Sequence, residues 1–98
     1  MRTNKDIITA IIQKNMVFLR SEYHVKTIGV FGSFSRGEEQ RSSDVDILVE
    51  FLEPLGMFKF IELEESLSKL IGKKVDLVTK KALKPAIKEE ILQEVIYV

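Results

Sequence analysis

Near the start of the chain, Ile8, Ile11, Ile12, Met16 and Leu19 recur at the spacing of one side of a helix. This pattern predicts a helix from about Thr3 to Glu22, opened by Thr3 and Asp6 in the manner of a capping box. Ile7 and Phe18 widen its apolar stripe, as suits a helix that covers a sheet. The period then changes. Lys26 to Phe31 is rich in β-branched and aromatic residues and stops at Gly32, which predicts a short strand. Ser33 to about Glu39 is expected to form a helical turn, and the polar run from Gly37 to Ser43 a loop. Asp44 to Phe51 alternates polar and apolar positions and is the clearest strand in the sequence. Pro54 and Gly56 mark a turn. Met57 to Ile71 then reads as a helix with Phe60, Leu63, Leu67 and Leu70 on one side and Gly72 as its stop.

Lys74 to Thr79 is the third strand. About fifteen helical residues separate it from the second, which is the length a parallel crossover needs. Pro85 suits the first turn of a last helix, to which Ile87, Ile91 and Val95 give an apolar side. Ile96-Tyr97-Val98 is apolar and fits either an added edge strand or a docking tail. These elements predict an α/β (α+β) domain over residues 1–98. It would be a small sheet of at least three strands with helices packed on one face and a polar site on the other.

The alternation also sorts the charged residues. Side chains two apart on a strand share a face, so Asp44 and Asp46 point one way while Val45, Ile47, Val49 and Phe51 point the other. Asp76 lies between Val75 and Leu77 in the same manner. If the two strands are neighbours with their apolar faces together, three carboxylates converge, an arrangement that calls for a cation. Mg²⁺ takes oxygen ligands and keeps positions open for water and substrate phosphates. Gly32-Ser33 ends the first strand and begins a helical turn. Its amides lack intrahelical partners there, glycine permits close approach, and the Ser33 hydroxyl adds a donor. Arg36, one turn on, is placed either to neutralise phosphate or to pair with Glu38 or Glu39. The three aspartates with Gly32, Ser33 and Arg36 describe a nucleotide-handling site.

Composition narrows the field. Fifteen basic and fifteen acidic residues cancel, so no overall charge favours polymer nucleic acid or a membrane surface. There is no cysteine and one histidine, His24, which removes thiol chemistry and cysteine–zinc sites and weakens any Ser-His-Asp reading. His24 is better explained as the end of a helix, where the dipole favours it. No apolar run approaches a membrane span, and MRTNKD does not open like a signal peptide, so a cytoplasmic protein is expected. Met57 and Phe58 beside the Pro54–Gly56 turn are candidates for an adenine pocket or a partner surface.

The segment GSFSRGEEQRSSDVDILVEF resembles the signature of the polymerase-β-like nucleotidyltransferase superfamily: Gly-Ser, a spacer, Asp-x-Asp in an apolar strand, and a third carboxylate on a later strand. The closer likeness, from about Val25 to Thr79, is to the minimal nucleotidyltransferase (MNT) branch. That resemblance implies the nucleotidyltransferase fold with a small mixed sheet. It also implies an antitoxin that transfers AMP from ATP to a tyrosine of a HEPN-domain toxin. Carried over, Gly32 and Ser33 hold the triphosphate. Asp44 and Asp46 bind two Mg²⁺ ions, and Asp76 binds the catalytic ion beside the attacking hydroxyl. Two such ions can stabilise the attacking and leaving oxygens of an in-line displacement together. Two alternatives stand beside this reading: an antitoxin that acts by binding alone, and transfer to a small molecule or an RNA end. Homo-oligomerisation is left open.

Overall fold

The computed structural model describes residues 3–98. The N-terminal pattern forms two helices, α1 (Asn4–Lys14) and α2 (Met16–Tyr23). The capping box is present, with the Asp6 amide donating to Thr3 Oγ1 and the Thr3 amide to Asp6 Oδ2, both at 3.3 Å. The single helix expected over 3–22 is broken at Asn15. There the side-chain amide donates to the Ile11 carbonyl at 2.8 Å, and the backbone leaves helical geometry at ψ 10°. An asparagine side chain that takes up a helical carbonyl offers the main chain such an alternative.

Four strands follow: β1 (Val25–Phe31), β2 (Val45–Phe51), β3 (Val75–Thr79) and β4 (Ile96–Tyr97). Between them lie α3 (Ser33–Arg36), α4 (Met57–Ile71), a 3-10 turn (Lys80–Ala82) and α5 (Pro85–Glu94). The strand order is β3-β2-β1-β4. β1 is antiparallel to β2 and to β4, and β2 is parallel to β3, as the α4 crossover requires. The C-terminal tail is thus an edge strand, with Val30 opposite Ile96 and Gly29 opposite Tyr97. The helical turn after Gly32 is shorter than expected and closes at Gly37.

Ile8, Ile12, Met16 and Leu19 pack with Leu63 and Leu67 on Val45, Ile47, Val49, Val75 and Leu77. This face is covered by α1, α2 and α4 as anticipated. Val25 and Ile28 both join this core although they are three apart, because a register irregularity lies between Val25 and Thr27. The stripe is narrower than the sequence indicated, since Ile7, Phe18 and Leu70 stay at its exposed margin.

The expectation of helices on one face needs correction for α5. Ile91, Leu92 and Val95 pack with Phe31, Leu48, Val78 and Leu83 in a second, smaller apolar cluster. Leu48 lies between Asp46 and Glu50 on β2 and so belongs to the aspartates' face. An apolar stripe on a terminal helix says that it packs but not on which side of a sheet. Ile87 takes no part and is exposed.

Candidate active site

Register brings the carboxylates together. Asp46 on β2 is the direct neighbour of Asp76 on β3, and on its other side β1 sets Phe31 opposite it. The residues flanking both aspartates, Val45, Ile47, Val75 and Leu77, are buried in the main core, so Asp46 and Asp76 leave the sheet on the same opposite face. Asp44 precedes β2 by one residue, and its exposed carboxylate lies 3.9 Å from Lys74 Nζ. Burial first, and then the charges of Asp76 and Asp44, push the Asp46 carboxyl above the usual carboxylate range. Among the described residues no three such side chains already form a metal cage. The aspartates make an open, all-oxygen rim. Such a rim fits Mg²⁺, which binds through one or two carboxylates while water and substrate phosphate fill its other positions.

Gly32 ends β1 with φ 74° and ψ −152°, and a side chain built there would run into the Asp46 carboxylate. Its carbonyl accepts from the amides of Ser35 and Arg36 at 3.1 and 3.2 Å and from Ser35 Oγ at 2.9 Å. The buried Ser35 therefore helps to fix the turn that presents the first amides of α3. Arg36 is held by two carboxylates. Nε donates to Glu38 Oε1 at 2.8 Å and Nη1 to Glu94 Oε2 at 2.9 Å. Those bonds, Glu94 first, raise its already high pKa, so it stays cationic.

Some of the supporting residues escaped the sequence reading. β3 is an edge strand, and its outward amides are taken by α4: Leu77 N–H donates to Glu64 Oε2 at 2.8 Å and Val75 N–H to Ser68 Oγ at 3.0 Å. Asp76 is thereby restrained on both sides. The only local signal was a carboxylate, Glu64, beside the apolar stripe of α4. Glu64→Ala is expected to cost about 1–3 kcal/mol and to accelerate amide exchange at Leu77. Unchanged exchange there would show that the bond does not restrain the strand. Glu94 is also unforeseen, being far from Gly32 and Arg36 in sequence.

Met57 and Phe58 lie outside the acidic end. They follow β2 at its far end, about 17 Å along the strand from Asp46 at roughly 3.3 Å per residue, and are 77% and 88% exposed. Met57 lines an open apolar groove of about 840 Å³ with Phe51, Leu52, Phe60 and Leu77. His24 caps α2 in a left-handed conformation and is exposed, as its reading as a helix end requires.

A family model for the nucleotidyltransferase domain matches residues 12–98. The chain belongs to the nucleotidyltransferase family. This nucleotidyltransferase is 50% identical over 91 residues to the protein adenylyltransferase MntA of Thermococcus cleftensis, an alignment covering 93% of this chain and 92% of that one. A solved structure described as a candidate minimal nucleotidyltransferase superposes with a TM-score of 0.78 at 29% identity, covering 97% of this chain and 95% of the other. The likeness extends, as one of fold, to a tri-AMPylated HEPN toxin of Shewanella oneidensis in complex with an MNT antitoxin. There the TM-score is 0.66 at 22% identity, with 92% of this chain and 70% of that one covered. The nucleotidyltransferase is thus an enzyme on a mixed four-stranded sheet. Among its described residues no helix is long and apolar enough to cross a membrane.

Proposed function

We propose that the protein is a Mg²⁺-dependent adenylyltransferase that moves AMP from ATP onto a hydroxyl, a tyrosine, of a partner HEPN-domain toxin, and so acts as the antitoxin of the pair. The observation that carries this reading is the pairing of Asp46 with Asp76, one strand away from the glycine that ends β1. The naming of the Thermococcus relative as a protein adenylyltransferase supports the reaction class. The Shewanella complex, alike in fold, directs the proposal to a HEPN partner and an antitoxin role.

In this reading Gly32 and Ser33 hold the triphosphate through main-chain amides and the serine hydroxyl, and Arg36 neutralises phosphate charge. Asp44, Asp46 and Asp76 hold the divalent ions, which when bound would neutralise charge on the reacting phosphate. Asp76 stands on the outer strand, where it can accept the proton of an incoming hydroxyl. The hydroxyl oxygen bonds to the α-phosphorus, the bond from that phosphorus to the bridging oxygen breaks, and pyrophosphate leaves on the Gly32–Ser33 side. An acceptor borne on a protein suits a rim this open, and the exposed Leu52, Met57 and Phe58 give a protein partner an apolar patch to cover.

The test is to incubate the protein with ATP, Mg²⁺ and the partner toxin and to read the partner's intact mass. The expected outcome is an increment of one or more AMP groups that is absent with Asp44→Asn; an unmodified toxin would sink the proposal. Ser33→Ala is expected to weaken ATP binding about tenfold, the worth of one hydrogen bond to a charged group. Undiminished affinity by calorimetry would remove Ser33 from the phosphate seat. The same apolar patch favours a second reading, an antitoxin that acts by occupation alone. The two separate cleanly: a variant lacking all three aspartates still neutralises the toxin only if binding suffices.

A further inference from the structure

Glu94 closes α5 and reaches back to the turn at the end of β1 with both carboxylate oxygens. Oε1 accepts the Gly32 amide at 3.1 Å, and Oε2 accepts Arg36 Nη1 at 2.9 Å. These are two of the groups assigned above to the triphosphate. We propose that Glu94 is an internal competitor for that phosphate, seated on Gly32 and Arg36 in the nucleotide-free protein and displaced when ATP binds. The inference rests on the reading of Gly32 and Arg36 as phosphate-binding groups.

Three features support an exchange rather than a permanent clamp. A carboxylate and a phosphate offer an arginine fork and a backbone amide the same kind of anionic oxygen, so one can replace the other on the same donors. The surroundings also carry like charge: Glu94 lies near Asp46, where Asp76 and Asp44 act as well, and Arg36 offsets part of that charge. A clamp for the Gly32 amide needs no charge, since a neutral glutamine would accept the same hydrogen bond. Finally, the side chain can leave without unfolding its surroundings. No residue of α5 is fully buried, and the Glu94 side chain retains 21% exposure. The chain just beyond it is fixed by the pairing of Ile96 with Val30 and by the Val98 amide on the Ile28 carbonyl at 2.9 Å. Displacement is therefore a rotation of the Glu94 side chain, with β4 held in place. Arg36 keeps Glu38 at 2.8 Å as its other partner, so the guanidinium stays near the site when Glu94 departs.

Competition of this kind lowers apparent affinity by the fraction of molecules in which the seat is free. Calorimetric titration of the full chain with Mg²⁺ and α,β-methylene ATP, which cannot be cleaved at the transferred position, tests it. Glu94→Gln and Glu94→Ala are each expected to bind about fivefold more tightly than the wild type. The glutamine variant should keep the wild-type melting temperature within a few degrees. Added to Arg36→Ala, Glu94→Gln should give a smaller gain, because much of the competition is for the guanidinium. Unchanged or weaker binding by both Glu94 variants overturns the inference, and a fall in melting temperature alongside it identifies a structural clamp. In that case a loss of affinity in Ser33→Ala still upholds the phosphate seat itself. Absence of nucleotide binding in the wild type and every variant overturns both readings.

Discussion

Asp46→Asn is expected to abolish nucleotidyl transfer, by roughly a thousandfold or more, while the fold persists and the metal-free protein melts at a higher temperature. Transfer suffers because Asp46 is the most central of the three carboxylates, flanked by Asp76 on one strand and by the end of β1 on the other. Loss of even a single neutral donor to transition-state charge costs a hundred- to a thousandfold, and a carboxylate in the metal-holding role proposed for Asp46 would carry more. Stability moves the other way. With no cation bound, Asp46 is ionised against burial and the like charges of Asp76, Asp44 and Glu94, and this is why its pKa is raised. The native state therefore holds the Asp46 proton more tightly than the unfolded chain does. The penalty is full above the raised pKa and vanishes below the ordinary carboxylate range near about 4. Asparagine removes it at every pH. In chelator at neutral pH the variant should melt at a higher temperature than the wild type, and the difference should shrink as pH falls through the raised titration. A lower melting temperature at neutral pH would mean that the carboxylate supports the fold, and the metal-holding assignment would go with it.

The residues of this site were legible in the sequence to the extent that their placement is local. Asp46 and Asp76 declare their common face because each sits between residues committed to the core, and the alternation of a strand leaves no other direction; Asp44, just before β2, has such a neighbour only in Val45. Gly32-Ser33 is marked by the end of an apolar run. The parallel relation of β2 and β3 followed from the length of α4 alone. What could not be read was whatever depends on elements distant in sequence. Glu94 meets Arg36 only because β4 returns to pair with β1 and carries the end of α5 past the turn. The apolar residues of α5 announce a packing face, yet which side of the sheet it covers is decided by the space left beside Leu48 and Phe31. The break at Asn15 lies inside an unbroken helical period, because the hydrogen bond to Ile11 that accompanies it leaves no trace in the pattern of apolar residues. Met57 and Phe58 were associated with the site through their nearness in sequence to a turn, but β2 carries them to its other end.

Gly32→Ala is expected to destabilise the protein by about 2–4 kcal/mol and to remove both nucleotide binding and transfer, although the substitution adds a single methyl group. Two costs combine. At φ 74° and ψ −152° the backbone occupies a region open essentially to glycine alone, which costs another residue about 1–3 kcal/mol. The added Cβ would also meet the Asp46 carboxylate and come within 3.0 Å of its Cγ, so either Asp46 or the end of β1 must shift. Both belong to the proposed chemistry: Asp46 to the cation, the Gly32 amide to the phosphate. Gly37→Ala supplies the control. Gly37 also has a positive φ, 71°, but with ψ 23° it lies in the ordinary left-handed region, and a Cβ there has nothing within 4 Å. That variant should lose about 1–2 kcal/mol and keep its transfer activity once folded. Thermal melts and the intact-mass assay on both variants separate the effects. If Gly32→Ala transferred AMP as well as Gly37→Ala does, the close approach of this turn to Asp46 would be incidental to catalysis, and the glycine would serve only the end of its strand.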